Sequence, residues 1–314
     1  VTDIETADKS GLVVAVVGPT ATGKSDLAVA LAQRIGGEII NADSMQLYQG
    51  MNIGTAKMPV AERAGIPHHL VDIWPISKSA AVAEYQSLAR AAIADIHGRE
   101  KTPILVGGSG LYVRGTLDRL EFPGESSEIR SRLNTELDAV GTERMHARLA
   151  ELDPAAATAI LPTNGRRIVR ALEVIEITGG PFTARMPAFE SVYPTVQFGL
   201  DRPDLDDRVR LRVHQMMSLG FVDEVAALLP LGLRKSPTAS KALGYQQLLS
   251  VMDDRARVVG NLDEAVDLTI RGTMRFVRRQ RSWFRRDPRL HWLDSSAEGL
   301  LDAALAQLPP TLVS

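Results

Sequence analysis

The sequence predicts an α/β fold: a parallel sheet flanked by helices, with a helical insertion. Three observations predict it. Short apolar, β-branched runs alternate with helix-period segments, the pattern of a parallel sheet. Three functional-looking segments directly follow strand-like runs, where open α/β sheets bind ligands. Between residues 121 and 195 the strand pattern stops and helical period persists.

Leu12–Val17 is a β-branched run ending at Gly18, and reads as a buried parallel strand. Lys24–Ile35 is helix-like, with Leu27, Ala30 and Leu31 at helical spacing. Strands are expected at Glu38–Asn41, His69–Ile73 and Pro103–Val106, with an Ala-rich helix at Ala80–His97. The insertion begins near Phe122-Pro123-Gly124, and Pro154, Pro162 and Gly165 punctuate its helices. A strand returns at Val196–Leu200. Helices are then expected at Pro203–Leu219, Phe221–Leu229, Ala239–Met252 and Leu262–Arg286, followed by a strand at Leu290–Leu293 and a terminal helix from Ala297. The core is thus residues 1–120 and 196–314, and the insertion is 121–195.

Gly18-Pro19-Thr20-Ala21-Thr22-Gly23-Lys24-Ser25 matches G-x-x-x-x-G-K-[ST] between a strand and a helix. The core is therefore expected to be P-loop NTPase-like. Its glycines let the backbone wrap an anion, and the helix N-terminus adds positive potential. Lys24 is placed to meet terminal phosphates, and Ser25 to offer a hydroxyl to Mg²⁺. The loop does not choose between kinases, hydrolases and other transferases. A nucleotide hydrolase would carry a second-metal aspartate at a strand end. Here Ile104-Leu105-Val106 runs instead into Gly107-Gly108-Ser109.

The chain has no cysteine, which excludes disulfides and thiolate metal sites. Its 6 histidines show no ligand spacing. His68 and His69 are adjacent and point to opposite faces of a strand, so a structural role is expected. No apolar run approaches the ~18 residues that span a bilayer. Val1–Ser10 is polar and lacks a signal-peptide pattern, so a frayed end and a cytoplasmic location are expected. The net charge of −2 conceals a local excess. Arg271, Arg275, Arg278, Arg279, Arg281, Arg285, Arg286 and Arg289 face one nearby acid, Asp287. Such a block points to a polyanionic partner.

Further segments are more specific than the loop. They are Ile40-Asn41-Ala42-Asp43-Ser44-Met45-Gln46-Leu47-Tyr48, Met51–Lys57, Pro67–Ile73 and Leu105–Tyr112, with Arg166–Glu173, Lys241–Tyr245 and Arg278–Arg285 beyond them. In this order, from about Leu12 to Asp294, they closely resemble the bacterial tRNA dimethylallyltransferases, the IPP transferase family. The resemblance implies transfer of a dimethylallyl group from dimethylallyl diphosphate to N6 of adenosine 37 in tRNA. The loop, with Gly18, Thr20, Ala21, Thr22, Gly23, Lys24 and Ser25, then holds a diphosphate leaving group rather than ATP, with Mg²⁺ at Ser25.

By the same resemblance Asp43 is the base for N6, with a turn or N-cap role as the alternative. Ser109 stands where threonine is usual and keeps the hydroxyl; a small residue in a tight turn is its alternative. Arg212 would stabilise the leaving group, with Arg208 one turn earlier or else paired to Asp204, Asp206 or Asp207. The implied tRNA contacts are Asp43, Ser44, Met45, Gln46, Ser109, Arg130, Arg166, Arg167, Arg170, Lys241, Gly244, Tyr245, Gln246, Arg275, Arg278, Arg279 and Gln280. Met274 replaces a usual arginine, which would lower the charge of the stripe. Trp283 and Phe284 are expected in the core rather than stacked on a base. A monomer is expected. A small-molecule kinase, a non-catalytic nucleotide switch and a transferase for free adenylates are the competing readings. None of them needs both an arginine stripe and a helical insertion.

Overall fold

The structure, a computed structural model, describes residues 11–182 and 188–313. The expectation for Val1–Ser10 lies outside them. Strand β1 is Val13–Val17, followed by α1, Lys24–Ile35; β2 is Gly37–Asn41 and β3 is His68–His69. Next come α2, Val82–Gly98, β4, Thr102–Gly107, and α3, Gly110–Leu117. Helices α4, Ser127–Leu152, α5, Pro154–Ala159, and α6, Gly165–Thr178, form the insertion. Strand β5, Thr195–Asp201, returns to the sheet. It precedes α7, Leu205–Ser218, α8, Phe221–Leu228, α9, Tyr245–Val251, and α10, Leu262–Phe284. The chain closes with β6, Leu290–Asp294, α11, Leu300–Leu305, and α12, Pro310–Val313.

The six strands run parallel in the order β3-β2-β4-β1-β5-β6, which is the α/β architecture expected. All of β1, β2 and β4 is buried, as strands covered by helices on both faces must be. One apolar cluster packs α1 and α11 against one face, and another packs α2 and α9 against the opposite one. Between β4 and β1 the strand order reverses, and the chain leaves both strands for the site described below.

Two expected elements differ. The strand from His69 to Ile73 stops after His69, because Leu70 and Asp72 take φ of 60° and 57°, outside the extended region. The helix expected over Ala239–Met252 is broken at Gly244, whose φ is +85°. A short 3₁₀ turn, Ala239–Lys241, precedes the break and α9 follows it.

The described chain divides into two compact units. One runs up to Asp118 and resumes at Ser191; the other is Arg119–Glu190. Ser191–Pro194 stay with the sheet because Ser191 bridges Asp118 in antiparallel fashion and Val192 N–H donates to Leu117 O. A buried ionic cluster secures this junction. Arg114 Nε lies 2.6 Å from Asp118 Oδ2, and Arg289 bonds both Asp118 Oδ1 and Ser191 Oγ at 2.6 Å. The inserted unit has its own core of Leu133, Met145, Leu149, Ile160, Ile168 and Leu172. Gly141, at φ +83°, kinks α4 in its middle.

Candidate active site

The phosphate loop departs from regular backbone at three residues. Gly18 has φ +137°, and a Cβ there would lie 2.4 Å from Leu200 O of β5. Gly23 has φ +83° and Ala21 has φ 67°. Only glycine enters such conformations freely, so Ala21 is held there by its surroundings. Thr22 Oγ1 and Lys24 Nζ both donate to Pro19 O, at 2.9 and 2.5 Å. The N–H groups of Ala21, Thr22 and Gly23 donate to no described residue. They lie directly before α1, whose N-terminus has no side-chain cap. That is the donor set an anion takes at a helix N-terminus.

Helix α7 brings two arginines to the loop. Arg208 Nε donates to Ala21 O at 2.9 Å, and Arg212 donates to Thr20 Oγ1 at 3.3 Å. Arg208 is therefore a loop brace rather than a partner of the neighbouring aspartates; Asp204 is taken by Arg202.

Asp43 leaves β2 two residues after Asn41, which fixes it. The Asn41 amide accepts from Asp43 N–H at 2.9 Å and donates to Asp43 O at 3.0 Å and Leu70 O at 2.9 Å. Behind it, the buried Tyr85 hydroxyl donates to Asn41 O at 2.9 Å. Asp43 Oδ1 accepts from Met45 N–H at 3.1 Å. Asn41 is a positioning residue that sequence reasoning passed over, although it stands in the quoted segment. Ser109 comes from the opposite loop, after β4. Gly107 permits this approach, since a Cβ there would meet Ala42 at 2.3 Å. Ser109 Oγ accepts from Ser44 N–H at 3.2 Å.

The electrostatics follow from this crowding. Desolvation pushes the Asp43 carboxyl above its ordinary pKa, opposed by Lys24 and Arg212. Burial, then the charge of Arg212, brings the Lys24 ammonium down to about 7, while Asp43 resists the change. Burial also lowers Arg212 from its usual value. Lys24, Arg212 and Asp43 thus act on one another electrostatically beside the loop.

Gln280 and Tyr245 differ from expectation. Tyr245 is fully buried, packs edge-on against Phe221, and donates its hydroxyl to Glu224 at 2.5 Å. Gly244 beside it is buried too, and neither offers a side chain to RNA. Glu224 also accepts from the N–H groups of Asn52, Ile53 and Gly54, so this trio clamps the Met51–Lys57 loop. Gln280 is 5% exposed and spends its amide inside the protein, accepting from Thr20 N–H and donating to Gly108 O. Lys241 and Gln246 are exposed, as an RNA contact requires. Met45 packs on the core and Gln46 donates to Thr55 O at 3.1 Å.

The arginine stripe is partly neutralised, mostly by acids distant in sequence. Arg281 and Arg285 pair with Asp201, Arg289 with Asp118 and Asp287, and Arg278 approaches Asp206 at 3.9 Å. Arg271, Arg275 and Arg279 are exposed on α10, Arg279 standing over the Phe276 ring. Met274 points inward, against Ala21, Val209 and Val213, so it takes nothing from the stripe. Phe284 is buried and Trp283 packs partly against the core. His68 and His69 bond Ile66 O and Glu38, a structural pair.

In the inserted unit, Arg166 and Arg167 are exposed at the start of α6. Arg130 and Arg170 converge on the fully buried carboxylate of Glu173. Burial pushes Glu173 up, but hydrogen bonds from Arg130, Ser126 N–H and Arg170 hold it below its ordinary value.

This arrangement can be set beside known proteins. Residues 46–287 match the family described as IPP transferase. The chain belongs to the IPP transferase family. A tRNA dimethylallyltransferase of Streptomyces coelicolor is 62% identical over 283 residues, 90% of this chain and 89% of the relative. That of Thermobifida fusca is 59% identical, covering 94% and 93%. The crystal structure of the tRNA isopentenylpyrophosphate transferase of Bacillus halodurans is 37% identical with a TM-score of 0.68, covering 95% of both chains. A eukaryotic dimethylallyltransferase caught acting on tRNA superposes with a TM-score of 0.79 at 25% identity, over 95% of this chain and 77% of that one. In this IPP transferase the family assignment thus extends over both units. No described helix is long and apolar enough to cross a membrane.

Proposed function

We propose that this enzyme transfers a dimethylallyl group from dimethylallyl diphosphate to N6 of adenosine 37 in tRNA. The observation that carries the reading is Asp43, a partly desolvated carboxylate facing Lys24 and Arg212 at the phosphate loop. A base beside a diphosphate cradle suits a displacement in which a proton leaves one partner and diphosphate leaves the other. The N6–C1 bond forms, the C1–O bond to diphosphate breaks, and the N6 proton passes to Asp43. Burial raises the basicity of the carboxylate for that proton. Lys24, Arg212 and the N–H groups of Ala21, Thr22 and Gly23 meet the charge that collects on diphosphate. Ser109 Oγ, bonded to Ser44 beside Asp43, orients the acceptor nitrogen.

Mg²⁺ fits as part of a ligand complex. Among the described residues no group of three His, Asp or Glu forms a metal site by itself. Ser25 lies in the first turn of α1 at the loop, so its hydroxyl and diphosphate oxygens would hold the ion. The bound ion would neutralise charge on the leaving group. The exposed arginines of α10, with Arg166 and Arg167 of the inserted unit, suit an RNA backbone.

The test is labelled dimethylallyl diphosphate and Mg²⁺ with an unmodified anticodon stem-loop. Label transferred to RNA supports the proposal. Absence of transfer, combined with phosphorylation of a small acceptor when ATP is supplied, would establish a kinase instead.

A further inference from the structure

We propose that Gln280 is a positioning residue of the donor site, setting the phosphate loop and the Ser109 loop in register from the arginine-bearing helix. The inference rests on the reading of the loop as a diphosphate cradle. Its basis is one buried amide joining three distant parts of the chain. Gln280 Oε1 accepts from Thr20 N–H at 3.0 Å across 260 residues of sequence. Gln280 Nε2 donates to Gly108 O at 2.9 Å across 172 residues.

Only one orientation of the amide works. A flipped amide would set donor against donor at Thr20 and acceptor against acceptor at Gly108. A carboxylate would satisfy Thr20 and repel Gly108 O. The packing is equally tight. A Cβ at Gly108 would lie 2.3 Å from Gln280 Nε2, and one at Gly110 would lie 2.0 Å from Trp283 Nε1. Gln280 and Trp283 are three residues apart, on one face of α10. They straddle Ser109, whose neighbours on both sides are the two glycines in contact.

Both ends of the bridge lead to reacting groups. Thr20 Oγ1 also receives Arg212, so the loop residue held by Gln280 positions a cation of the leaving-group site. Gly108 precedes Ser109, which is bonded to Ser44 beside Asp43. One side chain therefore sets the distance between the leaving-group pocket and the acceptor-side hydroxyl. Gln280 lies on the inward face of the helix whose outward face exposes Arg271, Arg275 and Arg279. It supports the site without touching RNA.

The experiment compares wild type with Gln280→Met, which keeps volume and loses both hydrogen bonds, and Gln280→Glu, which keeps the Thr20 bond alone. Gly108→Ala is an independent route to the same disturbance, since its Cβ would displace the amide from the other side. The readouts are affinity for inorganic diphosphate with Mg²⁺, affinity for an anticodon stem-loop at several salt concentrations, and kcat at saturation. Loss of two hydrogen bonds predicts diphosphate binding weaker by about tenfold or more in Gln280→Met and Gly108→Ala. Gln280→Glu is expected to lose at least as much, because its buried carboxylate repels Gly108 O and the bound diphosphate. Saturating kcat falls, and stem-loop affinity and its salt slope stay within about twofold. Should Gln280→Met fail to melt cooperatively, Gly108→Ala decides. Unchanged diphosphate affinity in the folded variants overturns the proposal, and so does a loss confined to stem-loop affinity. Wild type that binds no diphosphate overturns the underlying reading of the loop, and this inference with it.

Discussion

Ser44 N–H donates to Ser109 Oγ at 3.2 Å, joining the loop after β2 to the loop after β4. Ser109 Oγ directs its own proton to Ser44 Oγ at 3.4 Å and keeps a second lone pair that can accept from an N–H of a bound substrate. Ser109→Ala leaves the Ser44 N–H without this partner, at a cost of about 1–2 kcal/mol. A fall in kcat of about tenfold or more is expected, with Ser109→Thr near wild type. Steady-state prenyl transfer to a stem-loop measures both. Equal activity of the alanine and threonine variants would remove the hydroxyl from the mechanism.

Asp43→Asn preserves shape and removes the base. The expected loss in kcat is about 10²–10⁴-fold. Diphosphate affinity should change far less, because the removed charge is negative and lies beside a phosphate site. Single-turnover transfer and calorimetry separate the two. Matching losses would assign Asp43 to the scaffold.

Lys24 makes donor binding pH-dependent. Burial and then Arg212 bring its pKa to about 7, and diphosphate would raise it again. The free site thus loses its proton as pH rises through about 7, and binding above that pH takes one up. Donor affinity should fall above about pH 7 relative to Lys24→Arg, whose charge does not titrate. The ratio of the two affinities cancels the ionisation of the ligand itself. A ratio constant from pH 6 to 9 would contradict the shifted lysine.

The exposed and the paired arginines of α10 should behave differently. Arg275→Gln and Arg279→Gln are each expected to flatten the salt dependence of tRNA binding, by about 0.7–0.9 in slope. Arg281→Gln should leave the slope nearly unchanged and lower stability, because Arg281 is engaged with Asp201 and Arg202 O. Filter binding at several salt concentrations and a melting curve distinguish the two classes.

Glu38 ties β2 to the sheet edge and the end of α2. The guanidinium of Arg99, and then His69, hold its carboxyl down to about 2 against the cost of burial. A depressed carboxylate contributes stability above about pH 4.5 that is lost as pH falls toward 2. Glu38→Gln should cost about 1–2 kcal/mol at pH 7 and flatten the acid limb of the stability curve. Urea melts at pH 3, 5 and 7 test this.

Much of the sheet was legible because its strands are buried on both faces. Leu12–Val17 and Pro103–Val106 are apolar runs that loops do not supply. The phosphate loop and Asp43 were legible because their chemistry is local in sequence. What stayed hidden is set by distant partners. Tyr245 reads as an exposed motif residue until Glu224 and Phe221 enclose it. The role of Gln280 depends on Thr20 and Gly108, and the charge balance of α10 on Asp201 and Asp118. The β3 run fails after two residues because a left-handed backbone at Leu70 leaves no mark in hydropathy.

Asp118 and Ser191 are bridge partners, so the chain departs from the sheet and rejoins it at one spot. The junction works as a socket. Any segment whose termini meet can be seated there without reordering a strand, and a tight turn would close it. The two units can therefore be altered separately, since the inserted unit carries its own core. An engineer inherits the same freedom: residues 119–190 can be exchanged with the Arg289–Asp118 lock left intact.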